Sequence, residues 1–281
     1  VTAYSASADG RRVAFACSVS AATPAGRSPY RTQVYLKDFE TGELRLVSAD
    51  AGGLPGDGDS AGPVLSADGR RLLFESQASN LVTDPDTHRV TDVFLYEVET
   101  RNLRLLSRAA DGTIGDLRSE SVALNADGTV AVFRSDATHL PPPEPGLATD
   151  LYVWNAATQS SRRISLPATG STTPRTFNVV LSPDGRRLAF RTDVRSHTPA
   201  HGVWWFDLET WTGRRASESL EIPITGDNTA GPVMAAGGNR LAFETLTAPG
   251  RTVIWDADTG LHTLDQLAIL ALPNGGSPAQ C

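Results

Sequence analysis

Apolar and polar positions along this 281-residue chain fall into short runs set between turn residues, and the runs recur in phase. A polar turn, Ser7-Ala8-Asp9-Gly10, returns as Ser66-Ala67-Asp68-Gly69, Asn125-Ala126-Asp127-Gly128, Ser182-Pro183-Asp184-Gly185 and, altered, Ala235-Ala236-Gly237-Gly238. Successive copies lie 59, 59, 57 and 53 residues apart. Each precedes a short apolar strand ending in Phe: Val13-Ala14-Phe15, Leu72-Leu73-Phe74, Ala131-Val132-Phe133, Leu188-Ala189-Phe190 and Leu241-Ala242-Phe243. A third strand is aromatic and β-branched, as in Val93-Phe94-Leu95-Tyr96 and Val203-Trp204-Trp205-Phe206. A tight turn such as Glu40-Thr41-Gly42 or Asp258-Thr259-Gly260 leads to a fourth strand, as in Leu44-Arg45-Leu46-Val47. Asp-Gly between apolar runs predicts a hairpin, because glycine takes positive φ at no steric cost. No stretch carries a long helical apolar period.

Four antiparallel strands in about 55 residues is the size of a propeller blade. The pattern therefore predicts an all-β chain: a single five-bladed β-propeller with four-stranded antiparallel blades. The blades span about 1–50, 51–109, 110–167, 168–219 and 220–266, with 267–281 a C-terminal tail. The units resemble the TolB-like, WD-repeat-like propeller repeat of bacterial extracytoplasmic proteins. The second unit matches best, from Gly62-Pro63-Val64-Leu65-Ser66 through Ala78-Ser79-Asn80-Leu81-Val82 to Thr91-Asp92-Val93-Phe94. The resemblance covers residues 1–265. It implies the architecture and a secreted or periplasmic setting but no activity, since propellers host binding proteins, hydrolases, lyases and cyclases alike.

With the strands of each blade named A to D outward from the channel, the A–B and C–D turns share one face. The B–C and D–A connections share the other, and these are long: Ala21 to Thr32, Ala78 to Thr91, Ala137 to Thr149 and Asp193 to Gly202 among the first kind, Ala49 to Gly62 and Arg108 to Ser119 among the second. Loops of this length usually carry function, so the site is expected at the channel mouth on the elaborated face. The polar residues expected to ring it are Asp59, Arg118, Glu120, Arg175, Asn178, Asp227 and Asn228. Taken singly, each reads first as a solvated loop residue or a cap; together they suit a polar ligand or a protein. After the strand-B phenylalanines stand Ala16, Glu75, Arg134, Arg191 and Glu244, which would pair Glu75 with Arg134 and Arg191 with Glu244 between blades.

His88, His139, His197 and His201 fall in B–C loops and are the weak candidates for proton transfer or metal ligation. Pro199 lies between His197 and His201, so that pair lacks the helical geometry of a zinc motif. Asp84, Asp86 and Asp92 offer hard oxygens for Ca²⁺ but lack a full calcium-loop spacing; no other cofactor is expected. Acids near the mouth would also serve a two-carboxylate glycosidase, though no spacing fixes such a pair. The chain contains no Gly-x-Ser-x-Gly, His-Glu-x-x-His, phosphate loop or Cys-x-x-Cys. The first expectation is thus a binding module for a protein or polar ligand. The alternative is a small-molecule enzyme (hydrolase, lyase or natural-product cyclase) at the same mouth.

Composition narrows the setting. Hydrophobic residues are 40% and charged residues 20%, a globular balance. A net charge of −7 disfavours nucleic acid as the main partner. The longest apolar stretch, Leu267 to Pro273, is far short of a membrane span, and a monomer is expected. Val1 rather than Met opens the chain, which leads us to expect a removed N-terminal segment. Trp211, set in a C–D turn, is expected to pack at a sheet edge. Cys17 takes the place of Ser76, Ser135, Thr192 and Thr245, and Cys281 is the last residue. A Cys17–Cys281 disulfide would clasp the first blade to the tail, contribute about 4–5 kcal/mol and require an oxidising compartment. The other reading is a buried thiol and a separate terminal cysteine.

Overall fold

Each predicted hairpin takes its place in the computed structural model, which describes residues 3–20, 30–83, 89–109, 111–138, 140, 147–167, 174–193, 202–217, 231–245 and 251–263. The first sheet holds β1 (Ala3–Ala6), β2 (Arg12–Ser20), β3 (Tyr30–Asp38) and β4 (Leu44–Leu46), and the second β5 (Ser60–Leu65), β6 (Arg71–Ser76), β7 (Asp92–Glu97) and β8 (Asn102–Leu105). The third holds β9 (Ser119–Leu124), β10 (Val130–Ser135), β11 (Leu147–Asn155) and β12 (Ser160–Leu166). The fourth comprises β13 (Arg175–Leu181), β14 (Arg187–Asp193), β15 (Gly202–Asp207) and β16 (Thr212–Arg215). The fifth comprises β17 (Val233–Met234), β18 (Arg240–Thr245), β19 (Arg251–Asp256) and β20 (Gly260–Thr263). Every sheet is an antiparallel meander in chain order, and no helix occurs among the described residues. Contacts divide the chain into two units, Val1–Ile164 and Ser165–Cys281.

Within the first unit the second sheet is buried on both faces, which explains why its strands read as continuous apolar runs. Leu72, Phe74, Phe94 and Tyr96 pack against Ala14, Val34 and Leu36 of the first sheet. The alternate residues Leu73, Val93 and Leu95 pack against Ala131, Phe133, Tyr152 and Trp154 of the third. The second unit repeats the arrangement, with Ala189, Val203 and Trp205 against Leu241, Phe243, Val253 and Trp255. The recurrent Phe stacks on its cross-strand partner: Phe15 on Tyr35, Phe74 on Phe94 and Phe133 on Tyr152, with centroids 5.3–5.7 Å apart. Trp211 packs edge-on to Phe206 at 5.5 Å.

The Asp-Gly turns both close hairpins and join sheets. Ser7 Oγ donates to Asp9 Oδ1 at 2.6 Å and accepts the Arg12 amide at 3.0 Å, and Ser66 and Ser182 repeat the pattern. The five turn glycines take φ of 70–77°. The arginine that opens the next strand then reaches the following sheet's turn. Arg12 Nη1 donates to the Gly69 carbonyl at 3.0 Å, Arg71 Nη1 to the Asp127 carbonyl at 3.3 Å, and the Trp205 indole takes this part toward Gly238 at 2.7 Å. Turn-to-turn bonds run alongside, from the Ala8 amide to the Ala67 carbonyl and from the Asp68 amide to the Ala126 carbonyl. Across four of the five hairpins the arginine at this place meets an acid: Arg12 with Asp38, Arg71 with Glu97, Arg187 with Asp207 and Arg240 with Asp256.

Candidate functional site

Among the described residues of the first unit, two connectors that lead into A strands are tied to the loops after β6 and β10. The segment between β4 and β5 sends Asp57 to the amide and hydroxyl of Ser79, at 2.7 and 2.8 Å, in the loop after β6. Asp116, before β9, does the same with Thr138 at 2.8 and 2.7 Å. Gly56 and Gly115 lie so close to Ala78 and Ala137 that a Cβ would stand 2.9 and 3.2 Å from theirs. The two kinds of connector thus form one knitted rim at the entrance to the A strands.

Three of the five A strands, β5, β9 and β13, are also kinked. Register shifts fall between Ala61 and Val64, opposite Val132/Phe133 in the third sheet, and between Phe177 and Val180. Gly62 and Asn178 take left-handed φ of 59° and 50° at these bulges. Bulges re-aim side chains and recur beside functional sites. Ser121 Oγ donates to the Gly62 carbonyl at 2.9 Å, locking the second and third sheets together there.

Around this contact lies a cluster of four charges. Glu120 on β9 sits across from Arg134 on β10 and bonds it at 3.0 Å, and Arg118 holds the other Glu120 oxygen at 2.7 Å. Glu75, on β6 of the neighbouring sheet, is half-buried beside them, and its Cγ and Cδ border Gly62. Burial pushes the Glu75 carboxyl above the usual range and the Glu120 charge adds to this, against the pull of Arg118, Arg134 and the Ser121 amide. The surroundings of Glu75 therefore favour its protonated form. Arg118 keeps 60% of its side chain exposed, so one side of its guanidinium still faces solvent. A cluster that sets two carboxyls beside an open guanidinium can grip a ligand that carries both signs.

The expected ring residues divide accordingly. Arg118 and Glu120 come together as a pair. Asp59 accepts the Thr32 amide at 2.8 Å and so caps the adjoining sheet. Arg175 opens β13 and is exposed, and Asn178 forms the bulge there, its side chain pressed against Gly231. Asp227, Asn228, His88, His139, His197, His201, Asp84, Asp86 and Cys281 lie outside the described residues. Asp92 starts β7, is 2% exposed and accepts the Ser107 hydroxyl at 2.5 Å. Among the described residues no cluster of His, Cys, Asp or Glu is arranged to hold a metal ion. Cys17 stands half-buried on β2, its thiol directed to the Ser18 carbonyl at 3.7 Å. Arg191 is buried with its guanidinium over Phe177 at 5.2 Å, while Glu244 is exposed. Sequence reasoning set Glu75 aside as a structural partner of Arg134. Arg134 bonds Glu120 of its own sheet and also draws on the Glu75 charge, so Glu75 joins the cluster as its half-buried carboxyl.

No protein-family model matches the chain, and no curated protein matches its sequence. Among solved structures it is similar to a putative TolB from Agrobacterium tumefaciens, at 15% identity and TM-score 0.46 over 94% of this chain and 79% of that one. It is similar to a prolyl endopeptidase at 16% identity and TM-score 0.52, covering 94% of this chain and 35% of the enzyme. A third is the Cps50 (Swd1) β-propeller domain of Myceliophteria thermophila, at 14% identity and TM-score 0.44, covering 94% and 71%. Its solved neighbours thus include TolB and a β-propeller domain. At such identities the likeness is one of fold, and the chain spans about a third of the prolyl endopeptidase's length. No helix among the described residues is long and apolar enough to cross a membrane.

Proposed function

We propose that the five sheets close into a five-bladed propeller that acts as an extracytoplasmic binding module. On this reading the knitted rim and its charge cluster receive a polar ligand or protein segment carrying both a cationic and an anionic group. The observation that carries it is the Glu75–Glu120–Arg118–Arg134 cluster, placed where two bulged A strands meet under the long connectors. The arginines would take the anionic group and the carboxyls the cationic one. The extracytoplasmic setting is supported by the resemblance of the repeat and by the placement of Cys17, whose bond to Cys281 we propose as the clasp of the ring. Intact mass before and after thiol alkylation decides the clasp; two alkylated thiols in the native protein would overturn it.

The binding reading is tested by thermal shift against a panel of free amino acids and dipeptides, with the Glu75→Gln/Arg118→Ala double variant beside the native chain. A ligand-dependent rise in Tm in the native chain alone supports it. No rise with any member, or a rise that survives the double substitution, refutes it. The raised Glu75 carboxyl, set beside Glu120 in the cluster, favours one further reading, a small-molecule enzyme using Glu75 as general acid. Glu75→Gln would then stop turnover of a bound ligand while leaving its binding in place.

A further inference from the structure

Away from the rim, a groove of about 1490 Å³ runs along the outer strands of the first unit, with β8 at its centre and residues from β4 and β12 on its flanks. Its volume exceeds the roughly 300–1,000 Å³ of small-molecule pockets, which suits a length of polypeptide. Four arginines line it, Arg45, Arg101, Arg104 and Arg108, against the single acid Asp50. That balance is opposite in sign to the whole chain, whose net charge is −7.

The backbone supplies an independent sign. In the C–D turns of the first and fifth sheets, glycine occupies the left-handed position, Gly42 at φ 76° and Gly260 at φ 88°. The second and third sheets place Arg101 at φ 59° and Gln159 at φ 52° there, and both side chains line the groove. A left-handed non-glycine residue costs about 1–2 kcal/mol, and such strain collects at functional sites. Trp211, in the same position of the fourth sheet, regains the cost by packing on Phe206. Arg101 has no such repayment: its pairing with Glu43 at 3.3 Å is exposed, and exposed pairs are worth little.

As the outermost strand, β8 is paired on one side only, with β7. The Leu106 amide bonds the Val93 carbonyl, so ladder alternation turns the backbone groups of Leu103 and Leu105 toward the groove. We propose that this groove binds an extended acidic segment of a partner protein, which adds to β8 as a further strand while its carboxylates meet Arg101, Arg104 and Arg108. The unpaired strand edge favours a peptide over another polyanion.

The test is fluorescence anisotropy with a fluorescein-labelled alternating Glu-Val peptide, read against a Lys-Val peptide of equal length. The expected result is a saturable rise with the Glu-Val peptide alone, weakened by salt. Arg101→Gly relieves the left-handed turn and so leaves Tm unchanged or raised, yet together with Arg104→Glu it weakens the peptide by about tenfold or more. No saturable rise, equal binding of the Lys-Val peptide, or indifference to both substitutions overturns the proposal. So does displacement of the peptide by oligothymidylate at equal affinity. Loss of binding in Arg118→Ala with retention in the groove variants would place the peptide at the rim, overturning this proposal while sparing the rim reading.

Discussion

If the arginine after each Asp-Gly turn clasps adjacent sheets, a methyl group at the receiving glycine should cost far more than the same methyl at a free turn. Gly128 and Gly42 make the comparison, since both are left-handed, with φ of 70° and 76°. A Cβ on Gly42 meets nothing within 4 Å, whereas one on Gly128 would lie 2.7 Å from the Arg71 Cβ and 2.9 Å from its Cδ. The Arg71 Cβ is fixed to the start of β6, so the contact cannot be relieved by a rotamer change. Both alanines incur about 1–2 kcal/mol for the left-handed backbone and recover about 0.4–1 kcal/mol through a less flexible unfolded chain. Gly42→Ala should therefore destabilise by about 1 kcal/mol or less. Gly128→Ala adds the overpacking of Arg71, about 1–3 kcal/mol, and strains the Arg71–Asp127 and Asp68–Ala126 bonds. Urea unfolding with an unchanged m-value measures the difference directly. In a thermal scan each kcal/mol corresponds to about 2–4 °C in a chain of this size. Equal losses in the two variants would show that the second sheet's arginine does not bear on the third sheet's turn.

Three further outcomes follow from the same contacts. Asp38 is held at about 2 by the Thr41 amide first and by Arg12, and Asp256 at about 2 by Arg240 first and by the Asp258 amide. Depressed carboxyls stabilise above their unfolded value of 3.8 and lose that contribution as pH falls through the folded value. Tm should thus drop between about pH 4 and pH 2, and less steeply in Asp38→Asn/Asp256→Asn; an unchanged slope would refute the assignment. Glu75 has the opposite sign: its raised carboxyl lowers stability as pH rises past the unfolded value, so Glu75→Gln should raise Tm at neutral pH and lose its advantage in acid. A Glu75→Gln chain less stable than the native one at neutral pH would contradict the buried placement. Gly238 repeats the contact within the second unit, since a Cβ there would lie 2.6 Å from the Arg187 Cγ and 2.8 Å from its Cβ. Gly238→Ala should therefore cost about 1–3 kcal/mol more than Gly42→Ala in urea, and equal losses would show that Arg187 does not bear on that turn.

The division between what could be read from the chain and what could not follows from repetition. Asp9-Gly10, Asp68-Gly69, Asp127-Gly128 and Asp184-Gly185 announce their hairpins because turn chemistry is local, and five phenylalanines in phase fix which alternate residues face which way. An arginine opens the strand after four of the five turns (Arg12, Arg71, Arg187 and Arg240), yet the reach of Arg12 and Arg71 into the next sheet needs the distance between copies, which no single repeat contains. The charge cluster is harder still. Glu120 has no acidic counterpart in the second and fourth sheets, where Ala61 and Phe177 hold its place, and Glu75 meets Arg118 and Glu120 where the bulge at Gly62 brings the A strands of two sheets into contact at Ser121. Arg101 and Gln159 show the other side of the rule. They depart from the repeat where glycine would be easiest, and a departure that costs backbone energy is itself a signal once the left-handed position is known. Residues that the copies share therefore describe the scaffold, and departures that cost backbone energy, as at Arg101 and Gln159, are the positions where the proposed binding is best tested.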